Sequence, residues 1–339
     1  MNKVSQISIL IPTLNAATVL GNCLKSIRNQ NYPQDKLEII VADGGSNDST
    51  LAIAKKYRAK IVPNTLKTGE AGKAVALKHA SGKLIALIDS DNILPHKNWL
   101  KVMVKPFSDR EIIATEPIEY TYRKKDPILT RYFALLGMND PLCLFIGNYD
   151  RYSYLTGKWT DLSFSQTDKG DYLKVKLDRE PLPTIGANGT IFRKAVLTRA
   201  ISRGYLFDID ILIQTVREKR YVYIAKVKTG IIHTFVEDSP IKFFRKQLRR
   251  INDMSFHRAR GSRQTDWQTA FFWRIIWFQI QCLLVFPILY QTLKGYLKRP
   301  DLAWLLHPIA CYSTWLIYLY GWLKGKINPA ESSRRNWSQ

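Results

Sequence analysis

The sequence predicts an α/β fold with a mostly parallel sheet, followed by an apolar helical hairpin. Three observations carry this. Short β-branched runs alternate with helical patterns from Ile7 to about Tyr120. The strand candidates are near-continuously apolar, as in Leu84-Ile85-Ala86-Leu87-Ile88, which suits strands covered by helices on both faces. Two long apolar stretches, residues 275–293 and 302–323, occupy the carboxyl-terminal part.

Taken in order, the first strand (7–11) ends at Pro12; its apolar run is too short for a signal peptide, so a catalytic part, if the chain has one, is expected to stay cytoplasmic. Val19, Cys23, Leu24 and Ile27 follow at helical spacing. Strands at 38–42 and 60–62 come next. Ala71, Ala74, Val75 and Lys78 then repeat the helical period before strands at 84–88 and 112–114. Residues 123–183, rich in aromatics, Gly and Asp, read as an insertion of short helices and loops. Regular structure resumes at 186–193, a turn-rich start followed by a short apolar run.

From 241 to 263, Lys242, Arg245, Lys246, Arg249, Arg250, Arg258, Arg260 and Arg263 accompany Phe243, Phe244, Leu248 and Ile251 at helical spacing. That is a cationic amphipathic helix. The second apolar stretch would extend about 33 Å against a hydrocarbon core of ~30 Å. Both stretches are candidate transmembrane helices, although Gln279, Gln281 and Pro287 interrupt the first. A spanning hairpin would place Lys294, Lys298 and Arg299 outside, against the positive-inside tendency; a re-entrant or interfacial hairpin escapes this conflict. The expected division is a catalytic domain at 1–240, the basic segment at 241–267, two membrane-associated helices at 268–325 and a polar tail at 326–339.

Composition narrows the function. Lys+Arg 51 against Asp+Glu 28 leaves +23 on 339 residues, 46% of them hydrophobic, which excludes a wholly disordered chain and asks for an acidic partner. Four dispersed cysteines without a Cys-x-x-Cys support neither a disulfide framework nor a cysteine zinc cluster. The aromatics concentrate in the apolar helices rather than among the basic residues, so nucleic acid is not an expected partner.

The sharpest chemical signal is Asp89-Ser90-Asp91-Asn92 at the end of a buried strand. In open α/β sheets ligands collect outside the carboxyl ends of strands. Two carboxylates there can hold a hard divalent cation such as Mg2+ or Mn2+, or simply satisfy a local turn. A second acidic turn, Asp43-Gly44-Gly45-Ser46-Asn47-Asp48-Ser49-Thr50, lets backbone approach a ligand closely; Asp43 can accept hydrogen bonds from a base or ribose, and Asp48 or Ser49 can cap the next helix.

Ile11-Pro12-Thr13-Leu14-Asn15, the Asp43 turn, Gly72-Lys73-Ala74 and Asp89-Ser90-Asp91, in this order and spacing, resemble the family two glycosyltransferases with a GT-A fold. The resemblance is strong over about the first 120 residues and weaker to about residue 250. It implies a UDP- or GDP-linked sugar donor contacted by Pro12, Thr13, Asn15, Asp43, Gly44, Gly45, Lys73 and Asp89. It further implies metal ligation by Asp91 with Asp89 and His233, and an acceptor-side segment of Gly186, Ala187, Asn188 and Gly189. Family members carry Glu-Asp after that segment; here Phe207-Asp208-Ile209-Asp210 replaces it, leaving the base open between Asp210 and Asp208, with Asp210 preferred and Asp208 the better helix cap. Gln247-Leu248-Arg249-Arg250-Ile251 is similar to the Gln-x-x-Arg-Trp element of polymerising members. Ile251 in place of Trp implies addition of one sugar at a time, with Arg249 and Arg250 toward the diphosphate. The expected activity is inverting, metal-dependent transfer of one sugar to a lipid-linked or envelope-glycan acceptor at the cytoplasmic membrane face, with membrane lipids as a further partner. The rivals are a non-catalytic membrane-surface binding protein and a nucleotidyltransferase.

Overall fold

A computed structural model of the chain describes residues 4–199, 201, 204–235, 239–259 and 270–327. Among these, the strands are β1 (Ile7–Thr13), β2 (Leu37–Asp43), β3 (Lys60–Pro63), β4 (Leu84–Leu87), β5 (Asn92–Ile93), β6 (Ile112–Tyr120), β7 (Ser165–Asp168), β8 (Tyr172–Leu177), β9 (Thr190–Arg193) and β10 (Val222–His233). They form one sheet in the order β3-β2-β1-β4-β9-β6-β10-β8-β7, with β5 pairing β10. The β3-β2-β1-β4 half is parallel, as is β6 with β10; β9 runs antiparallel to both β4 and β6. The parallel α/β expectation is therefore met, and the turn-rich stretch at 186–193 leads into a central strand.

Helices cover both faces. On one side α1 (Ala17–Arg28) and α4 (Trp99–Val104) bury Leu20, Leu24, Ile27, Trp99 and Met103 against Ile7, Ile9 and Ile11 of β1. On the other, α3 (Gly69–Lys78) and α8 (Asp208–Lys219) pack Ala74, Leu77, Leu212 and Val216 against Leu10, Ile40 and Leu87. Both faces of β1 are apolar, so hydrophobicity alone does not set its register. Ser8 supplies a polar anchor: its hydroxyl, fully buried, bonds Glu38 of β2 and accepts the Gly82 N–H at 2.8 Å.

The 123–183 region departs from the reading as helices and loops alone. Besides α5 (Ile128–Leu136) and α6 (Leu142–Ile146), it contributes the β7–β8 hairpin, which extends the sheet by antiparallel pairing of β8 with β10. The signal is short-period: Val175 and Leu177 are buried while the alternating Lys174 and Lys176 are more exposed, and Gly170 sits at φ +80° in the connecting turn.

The basic helix α9 (Pro240–Ala259) buries Phe243, Gln247 and Ile251, one turn apart. Arg260 and Arg263 lie outside the described residues. The first apolar stretch is two helices, Phe272–Leu284 and Phe286–Lys298, bent by 90°. Val285 at the break has φ +63°, and Pro287 has no N–H to continue the preceding helix. Together with its leading turn, the helix Leu306–Ile327 makes a stretch long and apolar enough to cross a membrane. It packs alongside α9 in the same direction: Gln247 donates to Thr314 Oγ1 at 3.0 Å, and a Cβ at Gly321 would overlap Ile251. Gly321→Val should therefore wedge the two helices apart and destabilise the protein by about 1–3 kcal/mol, read as a lowered melting midpoint.

Candidate functional site

The carboxyl ends of β1, β2 and β4 lie side by side, and the end of β10 reaches them by pairing with β5 just after β4. At one end of this cluster, Asp43 organises the turn after β2. Its Oδ2 accepts the Gly45 and Ser46 N–H groups at 2.9 and 2.8 Å, and its Oδ1 accepts the Thr13 and Ser46 hydroxyls at 3.1 and 2.5 Å. All four acceptor positions are thereby used inside the protein. Asn15, with φ 49°, ties the turn to β1: its N–H donates to Ser46 Oγ at 2.8 Å and its side chain accepts the Asn47 N–H at 2.9 Å. Asp48 accepts the Thr50 N–H at 2.9 Å at the start of the next helix and the Ala17 N–H at 3.1 Å.

Gly72 allows α3 to approach the ends of β1 and β3: a Cβ there would lie 2.8 Å from Pro12 and 3.0 Å from Asn64 Nδ2. Asn64, immediately after β3, is almost fully buried, and its Oδ1 has no hydrogen-bond partner. Such a group is costly unless something satisfies it. Asn64 was not among the residues singled out in the sequence; its signal is an Asn directly following a strand end beside Asp43, whose carbonyl accepts the Asn64 N–H at 2.7 Å.

Past β4, the Asp89–Asp91 turn meets the end of β10. Asp91 Oδ2 lies 3.1 Å from His233 Nε2, and the Asp91 carbonyl accepts the Thr234 hydroxyl at 2.9 Å. The long β10, of which the sequence reading saw only the final Ile231-Ile232-His233, delivers this imidazole across 142 positions of chain. Burial alone would raise the Asp91 carboxyl, but His233 and then Lys246 of α9 hold it below the usual carboxylate range. Lys246 itself is pushed down to about 8 by burial and by Arg250, against the pull of Asp91.

Among the described residues no cluster of three or more His, Cys, Asp or Glu side chains forms a closed cage. An adjacent carboxylate oxygen and imidazole nitrogen fit an ion that draws its remaining ligands from phosphate oxygens and water, the usual arrangement for Mg2+ and workable for Mn2+. Asp91 and His233 are the residues that would hold it, with Asp89 beside them.

The third corner comes from α3 and α8. The Leu206 N–H donates to the Glu70 carbonyl at 3.0 Å, docking the chain ahead of α8 onto the start of α3. Lys73 Nζ, only 4% exposed as a residue, then pairs with Asp208 Oδ2 at 2.6 Å. Burial would lower the Lys73 ammonium, yet Asp208, Asp89 and Glu70 together hold it above the ordinary lysine range. Burial pushes Asp208 up to about 6, Lys73 opposing and Asp89 and Glu70 reinforcing. Asp208 Oδ1 is buried and has no hydrogen-bond partner. Asp208 is the first residue of α8 rather than its cap, which is Phe207.

The Gly186, Ala187, Asn188, Gly189 segment leads into β9 at the carboxyl end of β4. A Cβ on Gly186 would lie 3.9 Å from Asp208 Oδ2, whereas Gly189, at φ +85°, has no room for one beside Ile231 at 2.7 Å. Asn188 Oδ1 accepts the Asn92 amide at 3.0 Å, and Asn92 Oδ1 accepts the Asp89 N–H at 3.1 Å. Asp89, Asp91, His233, Lys73, Asp208 and the glycine segment are thus brought together. Asp210, one helical residue pair further on, lies in the electrostatic field of Arg217. Arg250 donates at 2.8 Å to both the Asn139 carbonyl and Gln247 Oε1 and pairs with Asp140 Oδ2 at 3.6 Å, while the field of Arg249 reaches Lys246.

Comparison with known proteins identifies the family and the fold. The family model described as Glycosyl transferase family 2 matches residues 8–197, more than half of the chain. The glycosyltransferase AglE of Haloferax volcanii is 27% identical over 139 residues, covering 39% of this chain and 45% of the relative. The poly(ribitol-phosphate) beta-N-acetylglucosaminyltransferase TarS of Staphylococcus aureus is 35% identical over 100 residues, 28% of this chain and 17% of the relative. The chain thus spans less than half the length of these curated relatives. In fold it is similar to the mannosyltransferase PcManGT from Pyrobaculum calidifontis in complex with GDP-Man and Mn2+, with a TM-score of 0.53 at 16% identity over 94% of this chain and 88% of the other. The family match spans the Asp43 turn, Lys73, the Asp89–Asp91 turn and the 186–189 segment and covers more than half of the sequence, and this chain belongs to Glycosyl transferase family 2.

Proposed function

We propose that the protein transfers one sugar from a UDP- or GDP-linked donor to an acceptor hydroxyl, with inversion. The carrying observation is the convergence of the Asp91–His233 pair and the Lys73–Asp208 pair at one sheet end. The nucleoside would lie between Pro12, Asn64 and the Asp43 turn, with Lys73 countering the charge of Asp208 and of the donor. A divalent ion bound there supplies positive charge against the charge growing on the leaving diphosphate.

We assign the base to Asp208. Its raised proton affinity, its unsatisfied Oδ1 and its nearness to Gly186 support this over Asp210. The carboxylate takes the acceptor hydroxyl's proton on Oδ1 while Lys73 holds Oδ2 in place. The test is incubation of purified protein with UDP- and GDP-sugars, Mn2+ or Mg2+ and membrane extract as acceptor source. Release of nucleoside diphosphate is the expected result; release of pyrophosphate would indicate nucleotidyl transfer, and no release a binding protein.

The acceptor, a lipid-linked or envelope glycan, is expected at a membrane surface. The bent helix pair leaves Trp273 77% and Phe286 81% exposed, with Leu283 and Leu297 also open to solvent, as is Leu302 in the turn before the last helix. Exposed apolar area on this scale needs a partner. Because the Leu306–Ile327 helix is fastened along basic α9, inserting it upright would draw charged residues inward; this supports an interfacial placement. Co-sedimentation should show binding to phosphatidylglycerol vesicles, weakened by salt and by phosphatidylcholine substitution, at about 1 kcal/mol per basic residue engaged. Equal recovery in the supernatant with and without vesicles would remove this placement.

A further inference from the structure

Behind the glycine segment lies a buried group of four charges that the sequence reading did not single out. Glu116 of β6 and Lys226 of β10 face Asp150 and Arg151, which follow α6. Arg151 and Lys226 have no exposed surface, Glu116 is 1% exposed and Asp150 7%. Lys226 Nζ donates to Glu116 Oε2 at 2.5 Å and also to the Asp150 carbonyl. Arg151 Nη1 pairs with Glu116 and, at 2.6 Å, with Asp150 Oδ2. Two acids and two bases leave the group electrically balanced.

Sealed ionic groups of this kind are commonly no more stabilising than apolar side chains of the same volume. What an apolar filling could not do is reach outward. The other guanidinium edge, Arg151 Nη2, donates to the main-chain carbonyl of Asn188 at 2.8 Å. The same peptide unit is held from its opposite side, where the Gly189 N–H donates to the Leu87 carbonyl at 3.0 Å. The Asn188 side chain in turn bonds Asn92, which receives the Asp89 N–H, and donates to Tyr120 OH at 3.2 Å. Tyr120 lies against His233, ring centroids 5.4 Å apart.

We propose that Arg151 is a positioning residue: braced by Glu116 and Asp150, it sets Asn188 and so fixes the acceptor-side segment relative to the Asp89–Asp91 turn. The assignment rests on the reading of residues 186–189 as facing the acceptor. A lysine could serve the acidic edge but not both edges, because only the planar fork presents donors in two fixed directions.

The test uses the full chain carrying Arg151→Lys. Hydrogen–deuterium exchange should accelerate about tenfold in peptides covering 186–193 with β6 and β10 peptides unchanged. Sugar transfer to membrane-extract acceptor should fall about a hundredfold while donor hydrolysis by water and the donor KM stay near wild type. Should Arg151→Lys fail to fold, Glu116→Leu with Arg151→Met preserves charge balance and approximate volume, and the same exchange and transfer changes are expected. Unchanged exchange in 186–193, or transfer and hydrolysis falling together in step with the melting temperature, would overturn the proposal. If the wild type releases no nucleoside diphosphate from any donor, the functional reading fails, and the exchange measurement alone still decides whether Arg151 holds the segment.

Discussion

Asp208→Asn is expected to lower kcat by about 10²–10⁴ while changing the donor KM little, the signature of a lost proton acceptor. Asp210→Asn should stay within about threefold of wild type, because a step of two residues along α8 turns its side chain to a different face of the helix from Asp208. The pH profile supplies an independent check. Asp208 must be ionised to accept a proton, and burial raises it to about 6. Activity should therefore rise with pH through that region and level off above it, and the acid limb should vanish in the residual activity of Asp208→Asn. Comparable losses in the two variants, or a larger loss at Asp210, would return the base to Asp210.

Asp91→Ala should reduce kcat/KM by about 10²–10³, the scale for removing a group aimed at developing charge. Chelation with EDTA should abolish turnover in the wild type, with Mn2+ or Mg2+ restoring it. In calorimetric titrations, UDP should bind Asp91→Ala no more tightly with Mn2+ than without it. His233→Ala should show the same defect in weaker form, since the imidazole both neighbours the metal position and lowers the Asp91 carboxyl. Retained Mn2+-dependent UDP binding in Asp91→Ala would move the metal away from this turn.

The parallel half of the sheet was legible because its strands announce themselves locally: Ile7, Ile9, Leu10 and Ile11 are fully buried, as are Ile85 to Leu87. The hairpin Ser165–Asp168 with Tyr172–Leu177 was not, because its lysines alternate with Val175 and Leu177 in a segment crowded with turn residues. The break at Val285 was half visible. Pro287 marked an interruption, but whether it would kink one helix or separate two at 90° depended on what the flanking helices packed against.

The sequence by itself determined the order of the acidic turns, their position at strand ends and the balance of apolar and basic residues in the carboxyl-terminal part. Each is a matter of residues close in the chain. Tertiary structure alone decided which of two aspartates on one helix meets Lys73, that Arg250 is engaged by Asn139 and Gln247, and that Arg151 bridges a buried carboxylate and the Asn188 carbonyl. A charge's partner depends on distances of a few ångströms between segments far apart in the chain, and no local periodicity encodes that distance.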